Sequence, residues 1–359
     1  MFARLLLLVL CAVVAQCDYV EEQFSELLEA CVNGTRERCP TTPPSWASEQ
    51  VFLVSVLSSL CDSFSKHLFH AWLEHYTQRL DIPGENVILI VHAPQGASED
   101  ESCLLQVYQE AQSFGVVRID EWTQDTFTSL RKDQQRKAVM RDAGIQRWDW
   151  VVYADSDELH DLGWSGPYRT VPALAHKLSE MGMNAMHGIM VDRVAEDGSL
   201  PPVRSVAEAG TLAQQFPVEC RITQRIAKAG CLGKVVMAKA YLALGPGAHW
   251  LIGRGGCPPG HASRECCFPR RIQWFLTRDE FSDCCPEFAR WMPRQVKVNH
   301  FKWYEGVIPR LRRRRDVYRS LKNNVWLESE RLLQHLSNHS ERFCLDCDEE
   351  LACHRASLS

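Results

Sequence analysis

At 359 residues, 45% of them hydrophobic and 24% charged, the chain is long enough to form one large globular domain, or one domain with an appendage. A formal net charge of −5 lacks the Lys and Arg surplus on which duplex binding leans, so no nucleic-acid partner is expected. Sixteen cysteines fit an oxidising compartment, where thiols pair, although the pairing is not readable from spacing.

The chain begins with Arg4 ahead of an apolar run over residues 5–15, and small residues then lead into an acidic stretch at Asp18. This pattern predicts a cleavable signal peptide over residues 1–17. A membrane span needs about 20 apolar residues, more than this run has, and no later segment qualifies. No transmembrane anchor is therefore expected, and the mature chain should work in the secretory-pathway lumen (Golgi or ER) or outside the cell. Cleavage would remove Cys11 and Cys17 and leave an even number of cysteines. The sequons Asn33-Gly34-Thr35 and Asn338-His339-Ser340 agree with that address.

A cysteine-bearing leader (18–48) ends at TTPPSWAS, and the β-branched run QVFLVSVLSS (50–59) predicts a buried first strand. Over 64–80, Phe64, Leu68, Trp72 and Tyr76 recur at helical spacing until Pro83-Gly84 breaks the pattern. NVILIVHAP follows as a second strand. Helix-like CLLQVYQEAQSFG, strand-like VVRIDEW, a polar helix over 126–143 and strand-like WDWVVYADSDE continue the alternation. A helix over 171–181 leads to the strand NAMHGIMVDR and a turn at Asp197-Gly198. Alternation of this kind predicts an α/β fold, a mainly parallel sheet with helices on both faces. Beyond about residue 245 a Gly-, Pro- and Cys-rich stretch gives way to a basic helix and a cysteine-rich tail. The chain thus divides into a main domain over 49–306 and a basic helical, cysteine-rich tail over 307–359. The basic run RLRRRR (310–315) reads as a solvated helix face, or as a site for a diphosphate or an acidic acceptor.

In parallel sheets, ligands bind beyond the carboxyl ends of the strands, which places Asp155 and Asp157 at a cleft rim directly after WVVY. Two carboxylates one residue apart leave the strand in roughly the same direction and repel each other without a cation. Mg2+ and Mn2+ prefer such oxygens and fill their remaining positions with phosphate oxygens and water. The spacing therefore suits metal-diphosphate chemistry. The plain structural alternative is that both aspartates cap a turn, with Glu158 on the surface.

WDWVVYADSDELHD resembles the metal-binding strand of family 2-like and family 92-like glycosyltransferases, an aromatic-rich strand closing in D-x-D-E-(F/L). FHAWLEHYTQRLDIPGENVILIVHAP resembles the first crossover of that group. GIMVDRVAEDG and VNHFKWYEGV resemble its later strand and its His-containing C-terminal segment. The likeness spans about residues 50–306 and leaves out the leader and the tail. It implies a GT-A fold, a nucleotide-sugar donor, usually Mn2+ (or Mg2+), and a glycan, protein or lipid acceptor.

Carried onto this chain, Asp155 would face the ribose or the metal, Asp157 would bind the metal, and Glu158 would brace the loop. His300 becomes a candidate third ligand, as neutral imidazole suits Mn2+-like ions; the alternative is a packed histidine beside Phe301 and Trp303. His249 in GPGAHW rivals it. Lys132, Arg136 and Lys137 lie on the preceding helix, where relatives often place a residue near the donor; a solvated face explains them equally. An inverting transferase also needs a base for the acceptor hydroxyl, for which Asp192 and Glu219 are the candidates, each with a salt bridge as its plainer role.

Two rivals remain at this stage. A haloacid-dehalogenase-type phosphatase also starts from an apolar strand ending in D-x-D, but expects Thr or Val where Leu159 stands. A non-catalytic glycan-binding protein with a transferase fold would keep the scaffold without turnover. The spacing Cys344-x2-Cys347 with Cys353-His354, and the pairs Cys266-Cys267 and Cys284-Cys285, invite zinc, but in an oxidising compartment they read as disulfides.

Overall fold

The computed structural model describes residues 49–356 except 62–63, 94–102, 124–126, 163–169, 229–232, 243, 245, 250, 252–288 and 346–350. The signal peptide, the leader, the Asn33 sequon, Cys347 and the pairs at 266–267 and 284–285 lie outside the described residues.

Strand β1 (Val51–Ser58) is followed by helix α1 (Lys66–Glu74), whose Ser65 cap accepts from the Leu68 amide and which runs on as a π-turn over His75–Arg79. Next come β2 (Val87–His92), α2 (Leu104–Ser113), β3 (Arg118–Trp122), α3 (Ser129–Asp142) and β4 (Trp150–Tyr153). Beyond β4 the chain forms β5 (Glu158–Asp161), α4 (Val171–Glu180) and the long β6 (Ala185–Val194). Short helices α5 (Val206–Ala209) and α6 (Leu212–Gln215) precede β7 (Val218–Cys220) and α7 (Ile222–Arg225). Then follow β8 (Gly233–Lys239), β9 (Val296–His300), α8 (Val307–Ser320), α9 (Trp326–Asn338) and β10 (His354–Arg355).

The sheet order is β10-β7-β6-β8-β4-β1-β2-β3, with β9 joining β6 to β5. Strands β3, β2, β1 and β4 are parallel, as the βα alternation requires, and so is β9 on β6. The second half of the sheet departs from that pattern: β8 runs antiparallel to β4 and β6, β7 to β6, and β5 to β9. By ladder length the sheet is mainly parallel, and the α/β class stands.

Alternation along β1 feeds two cores. Leu53 and Leu57 pack with Phe69 and Trp72 of α1, Val107 of α2 and Leu174 of α4 on one face. Val54 and Val56 pack with Val139 and Met140 of α3 on the other. Covered on both sides, the strand reads as a near-continuous apolar run, interrupted by the buried Ser55. Leu53 is fully buried, and truncating it to Ala would cost about 2–5 kcal/mol.

Residues of α8 and α9 share a third core with Val194, Val218 and Cys220 of β6 and β7. Disulfides join Cys61 to Cys103 and Cys220 to Cys353. Cys353 thereby ties the tail to β7 through its disulfide, and Cys344 is disulfide-bonded too. The basic run is largely committed within the helical hairpin. Arg314 pairs with Glu328 at 2.7 Å, Arg315 with Glu330 at 3.4 Å, and Arg310 donates to the Lys302 carbonyl.

Candidate active site at the carboxyl end of β4

Chain emerging from β4 turns at once through Asp155-Ser156-Asp157 into β5, and two backbone bonds hold the turn. The Glu158 amide donates to the Asp155 carbonyl, and the Phe301 amide to the Asp157 carbonyl at 2.7 Å. Trp72 of α1 braces it from below by donating its indole N–H to the Asp155 carbonyl.

The two aspartates look in different directions. Asp155 lies among cations: Lys132 Nζ is 2.8 and 3.0 Å from its oxygens, Lys234 Nζ 3.3 Å and Arg136 Nη2 3.7 Å. Burial alone would raise the Asp155 carboxyl, but Lys132, Lys234 and Arg136 outweigh it and hold the group well below the usual carboxylate range. Glu158, only 2% exposed, takes the other side of Lys234 at 2.7 Å and accepts from the Asp155 amide. Burial alone would strip the charge from Lys234; Asp155 and Glu158 more than offset this and raise its affinity for the proton.

Helix α3 supplies the cations because Lys132, Asp133 and Arg136 fall on the same buried stripe as Val139 and Met140. The polar end of that stripe meets the turn, and its apolar end meets the core. Asp133 accepts from Arg136 and from the Gly247 amide, so α3 also fixes the loop that carries His249. Lys137, one place round the helix, is half-buried.

Asp157 belongs to a different group. Register places Glu158 of β5 opposite His300 of β9, and His300 beside Asp192 of β6, so one row of partners crosses three strands. The His300 Nε2 atom is 3.7 Å from Asp157 Oδ2, and its Nδ1 is 3.0 Å from Asp192 Oδ1. Burial would lower the His300 imidazole, but the flanking carboxylates of Asp157 and Asp192 raise it overall. His249 has the opposite surroundings. Its Nδ1 faces the Gly233 carbonyl at 2.7 Å, and burial together with Lys234 pushes it down to about 4.

The structure thus brings Lys132, Arg136, Asp155 and Glu158 into one network and Asp157, His300 and Asp192 into an adjoining one. Asp192 is 3% exposed and does not stand at a cleft edge. It accepts from Trp303 Nε1 at 2.8 Å and from the Thr223 amide and hydroxyl at 2.7 and 2.8 Å, and its Oδ1 lies 3.0 Å from His300 Nδ1. Glu219 stands apart. Strand alternation turns it, with Arg193, to the other face of the sheet from Asp192. There it pairs with Arg193 at 2.8 Å and Lys297 at 2.9 Å.

Lys234, Asp133, Thr223 and Trp303 were missed by sequence reasoning. Only Lys234 carried a signal, as a lysine heading the apolar run KVVMAK. Among the described residues, no group of three or more His, Cys, Asp or Glu side chains stands ready to hold a metal ion. No described helix is long and apolar enough to cross a membrane.

No family model and no curated protein matches the chain. Matching solved structures include a nucleoside-diphosphate-sugar pyrophosphorylase from Vibrio cholerae RC9 (11% identity, 41% of this chain and 59% of that one, TM-score 0.25). They also include a 4-diphosphocytidyl-2C-methyl-D-erythritol synthase (14% identity, 55% and 78%, TM-score 0.27). A third is the mannosyltransferase PcManGT from Pyrobaculum calidifontis in complex with GDP-Man and Mn2+ (12% identity, 92% and 81%, TM-score 0.33). The chain spans less than two thirds of the pyrophosphorylase. At these values none of the three bears on what this chain binds or does.

Proposed function

We propose that the chain is a glycosyltransferase that moves a sugar from a nucleotide-sugar donor to a hydroxyl of a glycan, protein or lipid acceptor, with a divalent ion of the Mn2+ or Mg2+ kind. One observation carries this reading: at the carboxyl end of β4, the Asp157 carboxylate and the His300 imidazole face each other at 3.7 Å beside a cationic corner made by Lys132, Arg136 and Lys234.

The donor set fits the ion at one aspartate only. Asp157 and His300 offer an oxygen and an imidazole nitrogen, the mixed set that Mn2+ accepts, and a diphosphate and water would complete the shell. Asp155 fits less well, since its oxygens already face Lys132, Lys234 and Arg136. It is assigned to keep those cations in place near the donor phosphates. When bound, the ion supplies positive charge to the departing diphosphate. Lys132 and Arg136, extending from α3 into the same corner, orient the donor by its phosphate oxygens.

Neither Asp192 nor Glu219 is assigned the acceptor's proton. Abstraction by Asp192 would disrupt its four accepted hydrogen bonds, and Glu219 would first have to leave Arg193 and Lys297.

Screening the purified chain against a panel of nucleotide sugars with Mn2+ tests the proposal. The expected result is metal-dependent consumption of one donor, and metal-dependent nucleoside-diphosphate binding in calorimetry. Phosphate release from a generic phosphomonoester would instead support a phosphatase. Absence of metal-dependent nucleotide heat would leave a glycan-binding protein as the better account.

A further inference from the structure

The environment of Asp192 fixes more than its own ionisation. Trp303 Nε1 and the Thr223 amide have hydrogens and no lone pair to offer, so both must donate to the Asp192 carboxylate. The Thr223 hydroxyl stands 2.8 Å from Oδ1 and gives its single hydrogen there. With Asp192 an acceptor on every side, His300 Nδ1 at 3.0 Å has to be the donor. The remaining ring nitrogen, Nε2, then carries a lone pair when the ring is neutral, and it points at Asp157 Oδ2. Two acceptors facing each other at 3.7 Å are drawn together by a positive charge between them, either a proton on Nε2 or a metal ion in its place.

We infer that Asp192 is a positioning residue which, held by Thr223 and Trp303, locks His300 in the Nδ1–H tautomer so that Nε2 is presented to a divalent cation beside Asp157. The inference deepens the proposed function and rests on its reading of Asp157 and His300 as the metal pair. The arm that holds Asp192 is built from far along the chain. Asp192 lies in register with Cys220, whose disulfide to Cys353 anchors β7, and Thr223 is in the first turn of α7 that follows. A carboxylate behind a metal-binding imidazole fixes its tautomer and raises its basicity, and loss of such a partner weakens metal binding about 10–100-fold.

The experiment compares the wild-type chain with Asp192→Asn and Thr223→Val, using His300→Gln to assign the imidazole signal. Nitrogen-15 NMR of the metal-free proteins, above the titration of the ring, reads the tautomer, and EPR titration with Mn2+ reads affinity. The wild type is expected to show Nδ1–H. In Asp192→Asn the carboxamide N–H can face Nδ1, the proton moves to Nε2, and Mn2+ affinity falls about 10–100-fold. Thr223→Val keeps the tautomer and loses a few-fold in affinity. A wild type carrying its proton on Nε2, or an Asp192→Asn protein with unchanged tautomer and affinity, would overturn the inference. Should Asp192→Asn not fold, the wild-type tautomer and the Thr223→Val titration decide the matter. Wild-type protein with the Nδ1–H tautomer and no Mn2+ binding would support the tautomer lock and sink the metal reading instead.

Discussion

Asp155 and Asp157 are two residues apart on one turn, yet they belong to opposite electrostatic regimes, and the two nearby histidines report it. On the Asp155 side, three cations surround the carboxylate and His249 is pushed down to about 4. On the Asp157 side, the carboxylates of Asp157 and Asp192 outweigh both burial and the charge of Lys302, and the His300 imidazole is raised. Burial lowers both imidazoles; at His249 the nearby lysines add to it, and at His300 the flanking carboxylates overcome it. A D-x-D spacing therefore does not make a symmetric pair. One aspartate is surrounded by three cations of the protein, and the other faces the His300 imidazole at 3.7 Å.

The sharpest way to break this contrast is to remove the lysine that compensates the first side. Lys234→Met leaves Glu158, 2% exposed, without its cation, while Asp155 keeps Lys132 and Arg136. Uncompensated buried charge costs about 3–5 kcal/mol, so the denaturant midpoint should fall steeply. Adding Glu158→Gln should restore much of the loss, since the pair then no longer buries a lone charge. A single variant as stable as the wild type would show that the corner is solvated and the contrast overstated.

The second test acts on the other side. Asp157 carries a carboxylate 21% exposed whose nearest charged partner is His300, so Asp157→Asn should leave the fold within about 0.5 kcal/mol. Transfer should drop about 10²-fold, or about 2.7 kcal/mol of transition-state stabilisation. Measured together, the two variants separate a stability residue from an activity residue. Equal effects on both properties would merge the two regimes.

Much of this was legible in the sequence, and the remainder was not for a physical reason. The run QVFLVSVLSS marks β1, and WVVY followed by two aspartates marks the strand end, because burial on both faces leaves a near-continuous apolar signature. Helix α1 was legible from Leu68, Trp72 and Tyr76, although its last turn is a π-turn. The row linking Glu158, His300 and Asp192 was not legible, because it depends on β9 pairing with β5 and β6 over separations of more than 100 residues. Local periodicity carries no information about such pairings. Nor does it reveal strand direction, which is why the antiparallel half around β8 was unforeseen. Lys234 drew no reading from the sequence, since a single lysine at the head of an apolar run does not announce that β8 is buried throughout and its lysine an ion-pair partner.

The smallest expected effect is the acid response of His249. Its folded pKa, about 4, lies below the ordinary imidazole value of 6.5, so between these values the unfolded chain binds the extra proton. Stability therefore rises with pH across that window and is lost as pH falls from 6.5 toward 4. Loss of this contribution to the acid slope in His249→Gln should reach about 2 kcal/mol at pH 4, less than the full shift because the side chain is only partly buried. Urea melts at intervals from pH 7 to pH 4 read it directly. The sign also separates the two histidines, since a raised group such as His300 contributes stability below 6.5 and loses it as pH rises through its folded pKa. If His249→Gln left the acid limb unchanged, neither burial nor the charge of Lys234 would hold the imidazole neutral in the loop that Asp133 fixes, and the first regime would end at the Asp155 carboxylate.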